Sequence, residues 1–384
     1  MTAGASQDPI PLLVPDVPGP EALAPYLERM HAARYYSNYG PLVRELEERF
    51  AASFGVPAAQ VTTVASATLG LELVLQALGL RPGSRVLMPT FTFAATATAV
   101  LRAGHVPVLA DVDAGSWLLT PEIARAACAA ERIDAVLPVA TLGMPHDMSG
   151  WQRFEEETGL PVVIDAAAGF GSQWLGEAAG TLVFSLHATK SLPAGEGGFV
   201  VSTRPGLAER VRQLSNFGIN LDPRSVLPVG ALAAAGTNAK MSELHAAVAL
   251  AAFEVWEEGA AQRRALHADM RNRLDAVAPG LLAWQEPGSG GPLMAPTLLC
   301  ARLPDATARD CVEAECWSRS IATRRWYQPL MHHMASLAPR CLVLPTPEAE
   351  RLARTVIGLP FFVGLDQLQQ VRLEEMLIAA TAII

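Results

Sequence analysis

From about residue 60 the sequence alternates short apolar runs with helical stretches, and this rhythm limits the possible folds more than any other feature. VTTV (61–64) precedes LGLELVLQALG, RVLMP (85–89) precedes FAATATAVLRAG, VPVLADV (106–112) precedes TPEIARAACAA, and AVLPV (135–139) precedes WQRFEEETG. VVIDAA (162–167), LVFSLHA (182–188) and GGFVVST (197–203) follow. Runs that stay apolar throughout, with glycines at their joints, read as strands covered on both faces. Repeated strand and helix predicts a mostly parallel sheet between two layers of helices. Ligands of such sheets collect at the carboxyl ends of the strands.

Around residue 240 the texture changes to a long helical run, MSELHAAVALAAFEVWEEGAAQRRALHADMRNRLDAVAPG. Leu244, Val248, Ala251 and Val255 recur there at helical spacing and predict a packed face. After the loop PGSGGP, shorter elements suggest a smaller α+β domain. The chain of 384 residues is therefore divided into a large domain, 1–255, and a small C-terminal domain, 256–384, with the N-terminal residues expected to pack with the latter. A net charge of −9 gives no electrostatic footprint for a nucleic acid. The N-terminus does not read as a secretory signal, and no apolar run is long enough to cross a bilayer, so a cytoplasmic location is expected. Five cysteines without a Cys-x-x-Cys pair read as small buried apolar groups, and no residues are assigned to a metal.

Candidate chemistry begins with a bias in the basic residues. Lys190 and Lys240 are the only lysines among 29 Lys and Arg residues, so positions that need only positive charge carry Arg. A lysine amine can lose its proton and attack a carbonyl, whereas a guanidinium cannot. Lys190 lies in FSLHATKSLPAGEGG (184–198), just after a strand, and Asp165 ends the apolar run VVID. Both side chains can converge on one crevice. A carboxylate and an amine held there suit pyridoxal phosphate (PLP), the amine binding the aldehyde and the carboxylate keeping the pyridine nitrogen protonated. Alone, Asp165 reads equally as a strand-end cap.

The cofactor phosphate needs amide donors at a helix N-terminus. ASATLG (65–70) offers Ser66, Ala67 and Thr68, and Ser185 could add a hydroxyl; simple N-capping is the competing reading of Ser66 and Thr68. In PTFTFAATA (89–97), Phe93 could cover a ring face or be ordinary core. A P-loop is excluded by order, because Gly195, Gly197 and Gly198 follow the lysine instead of preceding it.

FSLHATKSLPAGEGG resembles the lysine segment of the DegT/DnrJ/StrS nucleotide-sugar aminotransferases, PLP enzymes of fold type I. YYSNYGPLVRELEERFAASFGV (35–56) is similar to the family's opening. The stretch from ASATLG to VLADVD resembles its phosphate and aromatic segment, GTNAKMSELHAAVAL its cross-subunit segment, and RRWYQPLMHH (324–333) its Tyr-x-Pro-Leu-His stretch. The resemblance implies that Lys190 binds the cofactor covalently and Asp165 partners its ring nitrogen. It further implies that Ser185 and the Ala67 and Thr68 amides hold the phosphate, that Phe93 stacks on the ring, and that Asn238 reaches the partner's phosphate site in a homodimer. His187, Tyr327 and Arg324 are candidates for the substrate side, with Arg325 a second possible diphosphate contact. Ala168 stands where many relatives have Gln or His, and ATLGMPHD (140–147) is looser than the family pattern. The implied reaction moves an amino group, expected from glutamate, to a nucleotide-linked keto sugar. A keto-inositol or another cyclic ketone is an alternative acceptor, and a non-catalytic PLP-binding or sugar-nucleotide-binding regulator an alternative role.

Overall fold

The computed structural model describes residues 8–384. Two N-terminal helices, α1 (Pro20–Ala33) and α2 (Pro41–Phe54), each open with proline in the first turn, where its missing N–H costs nothing. The expected alternation follows: β1 (Val61–Val64), α3 (Ala67–Ala77), β2 (Arg85–Pro89), α4 (Ala94–Arg102), β3 (Val106–Ala110), α5 (Pro121–Ala130), β4 (Ala135–Val136), α6 (Met148–Thr158), β5 (Ile164–Asp165), β6 (Thr181–Ser185), β7 (Gly198–Ser202) and α7 (Leu207–Ser215). Then come α8 (Glu243–Glu254), α9 (Trp256–Val277), β8 (Ala283–Trp284), β9 (Leu299–Arg302), α10 (Ala306–Ser318), β10 (Leu342–Val343), α11 (Pro347–Thr355), β11 (Val356–Leu359) and α12 (Gln367–Thr381).

Strands pair in the orders β1-β7-β6-β5 and β10-β3-β2-β4. Parallel bridges Val136↔Val162 and Val139↔Asp165 join the two into one continuous surface. Pairing is parallel except where β7 meets its two neighbours. The cause is the connection: no helix intervenes between β6 and β7, so the chain turns straight back and β7 returns antiparallel. Lys190 sits in that turn.

Both faces of the sheet are covered, which is why its strands lack a polar alternation. Leu182, Phe184, Phe199 and Val201 face α2 and α8, where Phe50 stacks on Phe199 at 3.9 Å between ring centroids. Val183 and Val200 face Leu71, Val74 and Val211 on the other side. A second sheet, β11-β9-β8, is antiparallel, and its core contains Met270 of α9, Val312 of α10 and Leu373 of α12. Ile10 belongs to that core and hydrogen-bonds through its backbone to Ser320 and Ala322. We propose Val255, where the helical run breaks, as the hand-over between the two units. β10 nevertheless extends the large sheet, pairing with β3.

The helical run differs from its expected form. It is two helices, and the packed face of α8 is made by Ala246, Ala247, Ala249, Leu250 and Ala251, while Leu244 and Val255 are exposed. The alanines, small enough for close approach, set the face that the larger residues were expected to mark. All five thiols are free, with Cys300 and Cys316 buried and the others partly so. No helix of the described residues is long and apolar enough to cross a membrane.

Glu243, at the start of α8, is 0% exposed. Its carboxylate accepts from the amides of Leu42 (2.8 Å) and Val43 (3.0 Å), capping α2, whose own N-cap Gly40 supplies no side chain. A Cβ on Gly40 would lie 2.6 Å from the Glu243 carboxyl carbon, so glycine is what lets the acid in. Anion and helix N-terminus compensate one another. Glu243→Ala should therefore lower stability by about 2–3 kcal/mol, read as a lower urea midpoint at unchanged m; an unaltered midpoint would refute the cap.

Candidate active site

Asp165 ends β5 and is 4% exposed. Its position is fixed from both sides: its N–H donates to Pro138 O (2.8 Å), its carbonyl accepts from Ala140 N (2.9 Å), and β6 pairs on the other flank. Thr96 Oγ1, in the first turn of α4, donates to Oδ2 at 2.8 Å, and Ala167 N to Oδ1 at 3.2 Å. Burial raises the Asp165 pKa, while Thr96, Ala167 and the Lys190 cation act in the opposite direction. Burial lowers the Lys190 pKa, opposed by Asp165. No hydrogen bond joins the two side chains among the described residues, and each charge opposes the effect of burial on the other.

The loop carrying Lys190 is a tight return. Leu186 N donates to Gly197 O, Ala188 N to Gly195 O and Lys190 N to His187 O, each at 2.9 Å. Gly195 (φ 80°) and Gly197 (φ 148°) take backbone angles that side chains rarely allow. Asp16 pairs with buried Arg263 at 2.9 Å, and Arg263 also donates to Ser191 O at 3.3 Å, tying the N-terminal strap beside the loop.

Gly198 assembles the anion cradle. It pairs with Val64 of β1 and Ser185 of β6, and a Cβ there would lie 2.7 Å from Ala67 N and 2.6 Å from Phe184 O. Only glycine admits the N-terminus of α3 so close to the sheet. The Ala67 and Thr68 amides open α3, and Ser185 lies beside them with its hydroxyl accepting from His187 N at 3.2 Å. Ser66 caps α3, accepting from Leu69 N at 3.3 Å, so the capping reading of Ser66 is met. Ala65 N donates to Ala239 O at 2.7 Å, which anchors the Asn238 segment one residue before the cradle. Asn238 itself is exposed, its amide oxygen accepting from Lys240 Nζ at 2.6 Å.

Phe93 is the N-cap of α4 and 55% exposed, whereas Phe91 is 0% exposed. Ordinary core packing thus describes Phe91 and not Phe93. Tyr327 packs edge-on against Phe91, ring centroids 5.2 Å apart. Burial raises its phenol pKa, and the Asp165 charge adds to the rise. His187 is exposed, its Nδ1 2.9 Å from Thr189 Oγ1. Arg324 lies over the Trp326 ring at 4.3 Å. Arg325 is already engaged by Glu313, through Nε at 3.0 and 2.9 Å, and by Asp310 at 3.1 Å. Ala168 offers only a methyl, and its carbonyl lies where a Cβ on Gly143 would come within 2.7 Å.

Two residues escaped the sequence reading. Thr96 sits inside PTFTFAATA, but nothing in the spacing showed that its hydroxyl meets Asp165. His146, in the loose segment ATLGMPHD, donates from Nε2 to Val139 O at 2.8 Å and accepts at Nδ1 from Trp151 Nε1 at 3.2 Å. Val139 is bridged to Asp165, so His146 steadies the strand edge that positions the carboxylate.

The reversed β7, the lysine in its return loop, the buried aspartate one strand away and the amide cradle at α3 define the class of fold type I enzymes that use pyridoxal phosphate. More narrowly, the chain belongs to the DegT/DnrJ/EryC1/StrS aminotransferase family, whose model matches residues 20–377. Protein Rv3402c of Mycobacterium tuberculosis (strain ATCC 25618 / H37Rv) is 31% identical over 340 residues, covering 86% of this chain and 79% of the relative. Among solved structures, DesI, crystallised in the presence of its TDP-sugar product, is 34% identical with a TM-score of 0.85, covering 98% and 94% of the two chains. A PLP-dependent aminotransferase of Bacillus cereus ATCC 10987 shares 26% identity and a TM-score of 0.85 over 97% and 100%. DesV of S. venezuelae shares 27% and 0.79 over 98% and 99%. The protein is an aminotransferase, and its cofactor is pyridoxal phosphate.

The steadying role of His146 carries a pH signature. Burial pushes its pKa from 6.5 down to about 4, against the hydrogen bond to Val139 O. The folded protein therefore excludes a proton that the unfolded chain accepts below 6.5. The stability tied to a neutral His146 is complete above that value and is lost as pH falls toward 4, at up to about 1.4 kcal/mol per unit. Unfolding free energies from urea titrations at pH 7 and pH 5 should differ by about 2 kcal/mol more in wild type than in His146→Gln; equal differences would overturn the assignment.

Proposed function

We propose that the protein transfers an amino group from an amino acid, glutamate being the expected donor, to the keto group of a nucleotide-linked deoxysugar. The observation that carries this reading is that buried Asp165 ends β5 and Lys190 sits in the return loop after the neighbouring strand β6, with the α3 amides held against that sheet by Gly198. The relation to DesI, described with a TDP-sugar product, supports the class of acceptor. When bound, pyridoxal phosphate supplies an aldehyde for amine exchange and a ring that withdraws electrons.

The chain's own residues do the rest. Asp165, whose carboxylate accepts from Thr96 and Ala167, would hold the proton at the ring nitrogen. The Ala67 and Thr68 amides and the Ser185 hydroxyl bind the phosphate, with Ser66 shaping the turn that presents them. Phe93 covers one face of the ring. Lys190 Nζ would hold the cofactor aldehyde covalently. With its pKa lowered by burial, the Lys190 amine would be free to act as the base that moves a proton at the donor's α-carbon when it is not bonded to the cofactor. His187, Tyr327 and Arg324 bind the acceptor, and Arg324, unlike Arg325, keeps its guanidinium out of ion pairs among the described residues. Asn238 reaches the phosphate site of a partner subunit in a homodimer, and a cytoplasmic location belongs to the same proposal.

Lys190→Ala should lose covalent cofactor attachment and slow transfer by about 10³-fold or more. Lys190→Arg should do no better, since a guanidinium stays protonated. In wild type, glutamate should bleach the visible band of the bound cofactor, and a nucleotide-linked keto sugar should restore it. Restoration only by free cyclic ketones would replace the acceptor; a band unmoved by every amino donor would reject the reaction.

A further inference from the structure

Beyond the crevice, at the carboxyl end of β2, three side chains converge that the transfer reaction does not use. His332 and His333 lie in a short 3-10 turn, Met331–His333, and Glu350 lies in the first turn of α11. Both imidazole Nε2 atoms approach the same carboxylate oxygen, Oε1 of Glu350, at 2.8 Å and 3.2 Å. One ligand atom from each of the three residues lies within 4.8 Å of the others. Ligands about 2.0–2.2 Å from a tetrahedral ion stand roughly 3.4 Å from one another, so modest spreading would admit an ion. The second nitrogen of His332, Nδ1, is 2.8 Å from Thr90 Oγ1. Such an outer hydrogen bond fixes the ring and the tautomer of a metal-bound imidazole. Arg354 reaches Glu350 only at Oε2, 3.5 Å away, and leaves Oε1 free to coordinate.

We propose that His332, His333 and Glu350 bind one divalent transition-metal ion per chain. Two neutral imidazoles and one carboxylate suit zinc, cobalt or nickel, while calcium and magnesium prefer all-oxygen shells. His333 is half-exposed, so the fourth position stays open to water. The bound ion ties the turn to α11 and, through Thr90, to the end of β2. Because the turn follows Tyr327 in the same segment, the ion braces the stretch that carries Tyr327 to the crevice.

The test uses the holoenzyme after dialysis against a chelator. Titration with cobalt should produce ligand-field absorption at longer wavelength than the cofactor band, saturating at one ion per chain, and zinc should displace it. His333→Ala and Glu350→Gln should each weaken binding by about 100-fold or more, and Thr90→Val by about 10-fold. His31→Ala, at an exposed histidine on α1, should bind as wild type does. Zinc should raise the melting temperature of wild type and of His31→Ala but not of the ligand variants. Absence of stoichiometric binding by wild type, or undiminished binding in both ligand variants, would overturn the proposal and leave the cluster as hydrogen bonds alone.

Discussion

A buried carboxylate at the end of β5 and an amine in the return loop after the neighbouring β6 are the constraint around which the large unit is organised. Taken singly, each would be driven toward its neutral form by burial. Together they oppose that drive, and Thr96 and Ala167 strengthen the anionic side of the balance. The arrangement holds only while both backbones are immobile, which is what the flanking strands provide. β5 is gripped on both sides, and the lysine rides on a loop closed by hydrogen bonds across its base.

The geometry follows from one topological choice. Had a helix linked β6 to β7, the strands would have run parallel and Lys190 would have been carried out along a crossover. The direct return keeps it at the carboxyl edge, one strand from Asp165. Gly198 then allows β7 to run beneath the start of α3, so one antiparallel strand serves lysine, cradle and sheet together.

Much of this was legible in the sequence, for physical reasons that differ by residue. Apolar runs betray strands buried on both faces because no solvent-facing side exists to break them. Lys190 stood out because arginine fills nearly every other basic position. The hidden parts depend on partners distant in the chain. Thr96 finds Asp165 69 positions away, Glu243 finds Leu42 201 positions away, and Arg325, outside any helix, is paired by acids of α10, 12 and 15 positions back. Spacing within a segment contains no record of such meetings. The phase of α8 was misjudged because alanines dominate its packed face, with Leu250 the one large apolar residue in it, while Leu244 and Val255 lie outside it.

The buried acid at the head of α8 also bears on how this chain tolerates shortening. Its two amide partners belong to a helix that begins at residue 41, far upstream of the catalytic machinery. Deleting that N-terminal region would strand an anion in a dry interior beside Lys240 and Asn238, a few positions away. Damage from such a trimming would thus surface in the segment around Asn238, which Ala239 ties to the start of α3, instead of at the severed terminus.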